Sequence, residues 1–133
     1  MKRIFLISIL LAILGCKSAD RAKAEAEIAQ LKSAISEYYS QNGSLPSLQN
    51  ADIVKALSGE NIKNKIYFEF PSNMLDSKNE VIDPWGTPYS FSSRDGFIYI
   101  ISFGTNHAMD SATDDDVVGK VAIQTEQGAA ANP

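Results

Sequence analysis

From Asp20 to Gln41 the chain runs for 22 residues without a glycine or a proline. Ala, Glu, Lys and Gln, all strong helix formers, dominate this stretch. Apolar side chains recur at Ala24, Ile28, Leu31, Ile35 and Tyr38, at spacings of 4, 3, 4 and 3. That period places them in one stripe along a helix. Asn42-Gly43 supplies a left-handed stop, and Pro46 bars resumption. The sequence therefore predicts a rod of roughly 33 Å over about residues 20–42. The stripe from Leu31 to Tyr39 is predicted to pack on the chain's own core. The Ala-rich face around Ala22 to Ala29 is small enough to allow close helix packing.

With 133 residues the chain holds one domain, so the rest of the sequence must supply that core. Ser47 to Ser58, with Leu48, Ile53, Val54 and Leu57, reads as a short helix. Ile66 to Phe70, Tyr89 to Ser92, Phe97 to Phe103 and Val117 to Ile123 read as strands. Arg94-Asp95-Gly96 is a hairpin signal, because Asp-Gly suits positive φ. Asp83-Pro84-Trp85-Gly86-Thr87-Pro88 is a turn with two prolines. The predicted fold class is α+β: a long N-terminal helix on a small antiparallel sheet of about three to four strands. The head is expected over 43–125, within a domain spanning 20–125, with a flexible tail at 126–133.

Ahead of the helix, Met1-Lys2-Arg3 is a basic start, and Ile4 to Leu14 is an apolar run broken only by Ser8. This is the layout of a secretory signal. A run of 11 residues falls short of the roughly 20 that span a bilayer. Ile13-Leu14-Gly15-Cys16 resembles a lipobox, the signature of bacterial lipoproteins. That resemblance implies a signal peptide over 1–15, lipidation of Cys16 and a tether at 16–19. A plain secretory signal with an incidental cysteine is the alternative. Cys16 is the single cysteine, so an internal disulfide and a Cys-rich zinc site are excluded. Lys17 after the cysteine implies, by resemblance to Gram-negative sorting, the outer membrane. The expected location is extracytoplasmic, in the cell envelope, with contact to the membrane through the lipid.

Three further stretches carry a second resemblance. The first runs from Ala26-Glu27-Ile28-Ala29-Gln30-Leu31 through Tyr38-Tyr39-Ser40-Gln41-Asn42-Gly43-Ser44-Leu45-Pro46. The second is Asp83-Pro84-Trp85-Gly86-Thr87-Pro88-Tyr89. The third runs from Ser102-Phe103-Gly104-Thr105-Asn106 to Asp114-Asp115-Asp116-Val117. In order and spacing they resemble the C-terminal head of the type II secretion system major pseudopilin, protein G. The resemblance implies a pilin-like fold, in which Asp83, Pro84, Trp85, Gly86 and Tyr89 form a structural motif. Family members begin with a prepilin signal and carry a glutamate early in a long apolar helix. Here no acidic residue stands between Met1 and Ala19.

One loop has the composition of a cation site. Asn106, Asp110, Asp114, Asp115 and Asp116 bring five oxygen-bearing side chains into 11 positions. Ca²⁺ takes about 6–8 hard oxygen ligands. The spacing does not fit the EF-hand pattern. A solvated acidic loop is the competing reading from composition alone. The resemblance implies Ca²⁺, with Asn106, Asp114 and Asp116 at family positions and Asp110 as an added carboxylate. The ion's expected role is structural.

The net charge of −4 and the absence of a basic stripe argue against nucleic acid as a partner. No arrangement of residues points to a small-molecule substrate. The single histidine, His107, has no G-x-S-x-G nucleophile to serve. The expected function is therefore non-enzymatic. It is a lipoprotein with a protein G-like head, acting structurally in secretion or a pilus-like assembly with other secretion or pilin-like proteins. A stand-alone Ca²⁺-binding interaction module of the periplasm or cell surface is the alternative.

Overall fold

The computed structural model describes residues 7–45, 47–109 and 115–123. Helix α1 spans Ile7–Asn42 and helix α2 spans Asn50–Leu57. Strands β1 (Ser90–Arg94), β2 (Phe97–Ser102) and β3 (Val117–Ala122) form one antiparallel sheet in the order β1-β2-β3. The expected α+β arrangement, a long N-terminal helix on a small antiparallel sheet, is the observed one.

The predicted stripe is the face that packs. Ala24, Ile28, Leu31, Ile35 and Tyr38 are all buried. They meet Ile98 and Ile100 of β2 and Val117 and Val121 of β3, with Ile53, Val54 and Leu57 of α2 closing the core. At 36 residues, α1 is about 54 Å long and begins well before the predicted start. Its backbone runs without a break through positions 7–19, where the sequence suggests a signal and a tether. Among the described residues no helix is long and apolar enough to cross a membrane.

The helix stops as its sequence dictates. Gly43 takes φ +75° and donates its N–H to the Tyr39 carbonyl at 2.8 Å. The Asn42 side chain donates to the Tyr38 carbonyl and to the Tyr67 hydroxyl. Pro46 lies outside the described residues. The β1–β2 turn has Asp95 at φ +53° and Gly96 at φ +77°, the double positive φ that Asp-Gly favours in a two-residue hairpin.

The expected strand at Ile66–Phe70 is not one. The N–H groups of Tyr67 and Phe68 both go to the Leu57 carbonyl at the end of α2. Tyr67 then stacks edge-on against Tyr38, and Phe68 against Phe70. Tyr67 thus covers the end of α1, Phe68 and Phe70 pack on each other beside the core, and the donors of Tyr67 and Phe68 go to α2 instead of pairing with a neighbouring strand. The sheet therefore has three strands.

Candidate functional site

The turn from Asp83 to Tyr89 is built around one carboxylate. Asp83 Oδ1 accepts the N–H of Trp85 at 3.0 Å and of Thr87 at 2.9 Å. The Asp83 carbonyl accepts Gly86 N–H at 2.9 Å, and Asp83 N–H donates to the Thr87 carbonyl at 2.8 Å. Tyr89 N–H donates to the Val81 carbonyl at 3.0 Å. Pro84 and Pro88 have no N–H to place. Every backbone donor of the turn is thus satisfied, although Asp83 itself is only 3% exposed. Gly86 holds φ +86°, which an L side chain rarely adopts. Trp85 packs partly buried against the core.

From that turn two buried bonds reach outward. Asp83 Oδ2 accepts the Ser102 hydroxyl at 2.7 Å, at the end of β2. The Tyr89 hydroxyl donates to Glu27 Oε2 on α1 at 2.7 Å. Asn50, at the start of α2, locks the strand side. Its amide donates to the carbonyls of Val81 and Tyr89, and its oxygen accepts Val81 N–H at 2.6 Å. One short turn therefore joins α1, α2 and the sheet. Burial raises the Glu27 carboxyl above its ordinary value, although the Tyr89 bond and Lys23 act the other way. Burial, and then the bond to Glu27, also raise the Tyr89 phenol, so it remains a donor.

Of these partners, the sequence reading identified Asp83 and Tyr89 and missed Glu27, Asn50 and Ser102. Glu27 was visible in principle. It stands three residues after Ala24 and four before Leu31, on the buried face, where a solvated glutamate has no place.

The acidic loop begins just after Ser102, the β2 residue whose hydroxyl is bonded to Asp83. Gly104 N–H donates to Ser102 Oγ at 3.3 Å. Gly104 has φ +67°, and a Cβ there would lie 2.3 Å from the Asp115 carbonyl oxygen, so the two ends of the loop touch. Asp115 Oδ2 accepts the Thr105 hydroxyl at 3.1 Å and Asn106 N–H at 3.2 Å. His107, at φ +57°, is hydrogen-bonded through Nδ1 to the Thr87 hydroxyl, which ties the loop to the turn. Asn106 Oδ1 accepts Ala108 N–H at 3.0 Å.

Asn106 and Asp116 thus lie at the two described ends of a loop that folds back on itself. Asp110 and Asp114 lie outside the described residues. Among the described residues no group of three or more His, Cys, Asp or Glu side chains is placed to hold a metal ion. The residue seen closing the loop is Asp115, which the expected ligand set left out. Cys16 falls within the backbone of α1.

The family model for type II secretion system (T2SS), protein G, matches residues 13–121. The chain belongs to the type II secretion system protein G family. The match takes in α1 from Ile13, the Asp83–Tyr89 turn, the acidic loop and β3 as far as Val121. Family membership supports a pseudopilin-like role in secretion for this protein G-type head. Neither the curated proteins nor the solved structures returned a match.

Proposed function

We propose that this chain is a structural, non-catalytic component of the cell envelope. A protein G-like head is carried on an acylated Cys16 in the outer membrane and works in secretion or a pilus-like assembly. Its partners are other secretion or pilin-like proteins, met by protein–protein contact. One observation carries this reading: the protein G match over residues 13–121 coincides with a complete helix–turn–sheet unit. In that unit the signature turn does mechanical work, joining α1 to the sheet through Tyr89–Glu27 and Asp83–Ser102.

The lipid anchor rests on Ile13-Leu14-Gly15-Cys16 after a short apolar run. Two or three acyl chains, at about 0.8 kcal/mol per buried methylene, hold a protein firmly on a bilayer. Calcium rests on the donor set and on the loop's closure. Asn106, Asp110, Asp114 and Asp116 are all hard oxygen donors, and Gly104 meets Asp115 where the loop folds back. A bound dication would offset the repulsion among adjacent aspartates and hold the loop against the sheet.

Co-purification from cross-linked envelopes tests the assembly role. Recovery of secretion components with the chain is the expected result, and a clean monomer overturns it. The intact mass of chain extracted from membranes tests the anchor. A diacylglyceryl product beginning at Cys16 is expected, and an uncleaved chain from Met1 overturns it.

A further inference from the structure

Asn42 is the one asparagine of the chain that precedes a glycine. That pair is chemically labile. The backbone nitrogen of the glycine, once it has lost its proton, attacks the asparagine Cγ and expels ammonia. With no side chain on the glycine, little hinders the approach. The product is a five-membered succinimide. Water then opens it at either carbonyl, leaving an aspartyl or an isoaspartyl link and one added negative charge.

The fold ties down both nitrogens that must react. Asn42 Nδ2, the leaving nitrogen, donates to the Tyr38 carbonyl at 2.9 Å and to the Tyr67 hydroxyl at 3.0 Å. Gly43 N–H, whose proton must leave, donates to the Tyr39 carbonyl at 2.8 Å. The Tyr67 hydroxyl is itself fixed, since it donates to Gln41 Oε1 at 3.1 Å. Lys65 Nζ holds that Gln41 oxygen at 3.2 Å and Glu37 Oε1 at 2.7 Å. The bonds at Asn42 and Gly43 must break before the ring can close, which requires the end of α1 to open. Frayed ends open at far lower cost than a core. Gly43 is exposed and Asn42 half-buried, so water reaches the pair once it is free.

We infer that Asn42-Gly43 is a deamidation site latched shut by the C-terminal cap of α1 and by Tyr67, so that conversion is a one-way mark on chains whose helix end has opened. An ionised carboxylate accepts hydrogen bonds and cannot donate them. The converted residue therefore cannot restore the bond to the Tyr38 carbonyl. Its new charge also joins a cluster in which Glu37 already pairs with Lys65. An isoaspartyl link adds a methylene to the backbone, which the last turn of a helix cannot accommodate in register. Once converted, the cap stays open. The latch is local: it depends on bonds at one helix end and not on the sheet.

The test incubates the full-length chain in mildly alkaline buffer, folded and in urea. Mass spectrometry that separates aspartyl from isoaspartyl forms follows the peptide containing position 42. The unfolded chain should convert at a rate proportional to hydroxide, and the folded chain at least about tenfold more slowly, because only the open form reacts. Tyr67→Phe keeps the ring on Tyr38 and deletes the hydroxyl. It should speed conversion severalfold in the folded chain and leave the unfolded rate unchanged. Gly119→Ala, which strains β3 against Ile28, should leave the folded rate at the parent's value. Asn42→Asp, which copies one product, should melt below the parent. No conversion in urea removes the site. Equal rates folded and unfolded remove the latch, and a folded Tyr67→Phe rate equal to the parent's removes Tyr67 from it. Acceleration by Gly119→Ala as large as that by Tyr67→Phe makes global unfolding the gate and overturns the local one. Unaltered melting of Asn42→Asp overturns the one-way consequence.

Discussion

The Tyr89 hydroxyl and the Glu27 carboxylate meet at 2.7 Å across 62 positions of sequence. Both side chains are buried, and the bond joins the signature turn to the middle of α1. A hydrogen bond to a charged group is worth about 1.5–3 kcal/mol, and its loss leaves a buried acceptor short of a partner. Tyr89→Phe keeps the ring and deletes only the donor. The variant should be about 2 kcal/mol less stable, which lowers the melting temperature by roughly 7 °C. Thermal unfolding followed by circular dichroism measures it. Coincident curves would mean that helix and turn are held together by packing alone.

The same pair predicts a pH dependence. Burial raises the Glu27 carboxyl above 4.5, Asp83 adds to the rise, and Tyr89 and Lys23 oppose it. A carboxyl raised in the folded state binds its proton more tightly there than when unfolded. Stability from this group is therefore lost as pH climbs from 4.5 through the raised value, and the loss is constant above it. Glu27→Gln keeps an oxygen for Tyr89 and cannot ionise. Relative to the parent, the variant should gain stability between about pH 4 and pH 7. Urea unfolding of both proteins at the two pH values gives the difference. A difference that does not change with pH would remove Glu27 as the titrating group.

Gly119 of β3 faces α1, and a Cβ there would lie 2.2 Å from Ile28 Cγ2 and 3.1 Å from Lys32 Cδ. The strand can approach the helix only because position 119 has no side chain. Gly119→Ala should cost about 1–3 kcal/mol through overpacking. Ile28→Ala should cost more, about 2–5 kcal/mol, through the cavity it leaves. Combined, they should cost clearly less than their sum, since the added methyl fills the space that Ile28 vacates. A double-mutant cycle in urea checks this. Additive costs would show that the helix simply shifts away.

These sites differ in how far the sequence exposes them. The α1 stripe was legible because a period of 3.6 is a local property, and each of its five positions is buried as the spacing requires. The Asp95-Gly96 hairpin was legible for the same reason: two positive φ angles demand particular residues. The partners of the signature turn were not. Ser102 and Asn50 are ordinary residues in ordinary contexts. Only the tertiary fold brings Ser102 to Asp83 and Asn50 to Val81. Ile66–Phe70 reads as a strand because strand-like composition records a need to be covered, and ring contact with Tyr38 of α1, together with backbone bonds to the end of α2, meets that need as well as a sheet does. Asp114 and Asp116 enter the expected ligand set through their resemblance to family positions, and the contact of Gly104 with Asp115 is a tertiary closure that no local pattern announces.

That closure sharpens the calcium test. Asp115 clasps Thr105 and Asn106, whereas Asp116 belongs to the proposed ligand set. A ligand that binds only the native state stabilises it by RT ln(1 + [L]/Kd), about 2.7 kcal/mol at a hundredfold excess over Kd. Melting in millimolar Ca²⁺ should therefore lie several degrees above melting in chelator. Asp116→Ala should abolish the gap between the two curves. Asp115→Ala should lower the chelator curve as well, because the bonds it loses need no ion. Identical parent curves with and without Ca²⁺ would refute a stabilising site. A gap that persists in Asp116→Ala would remove Asp116 from the ligand set.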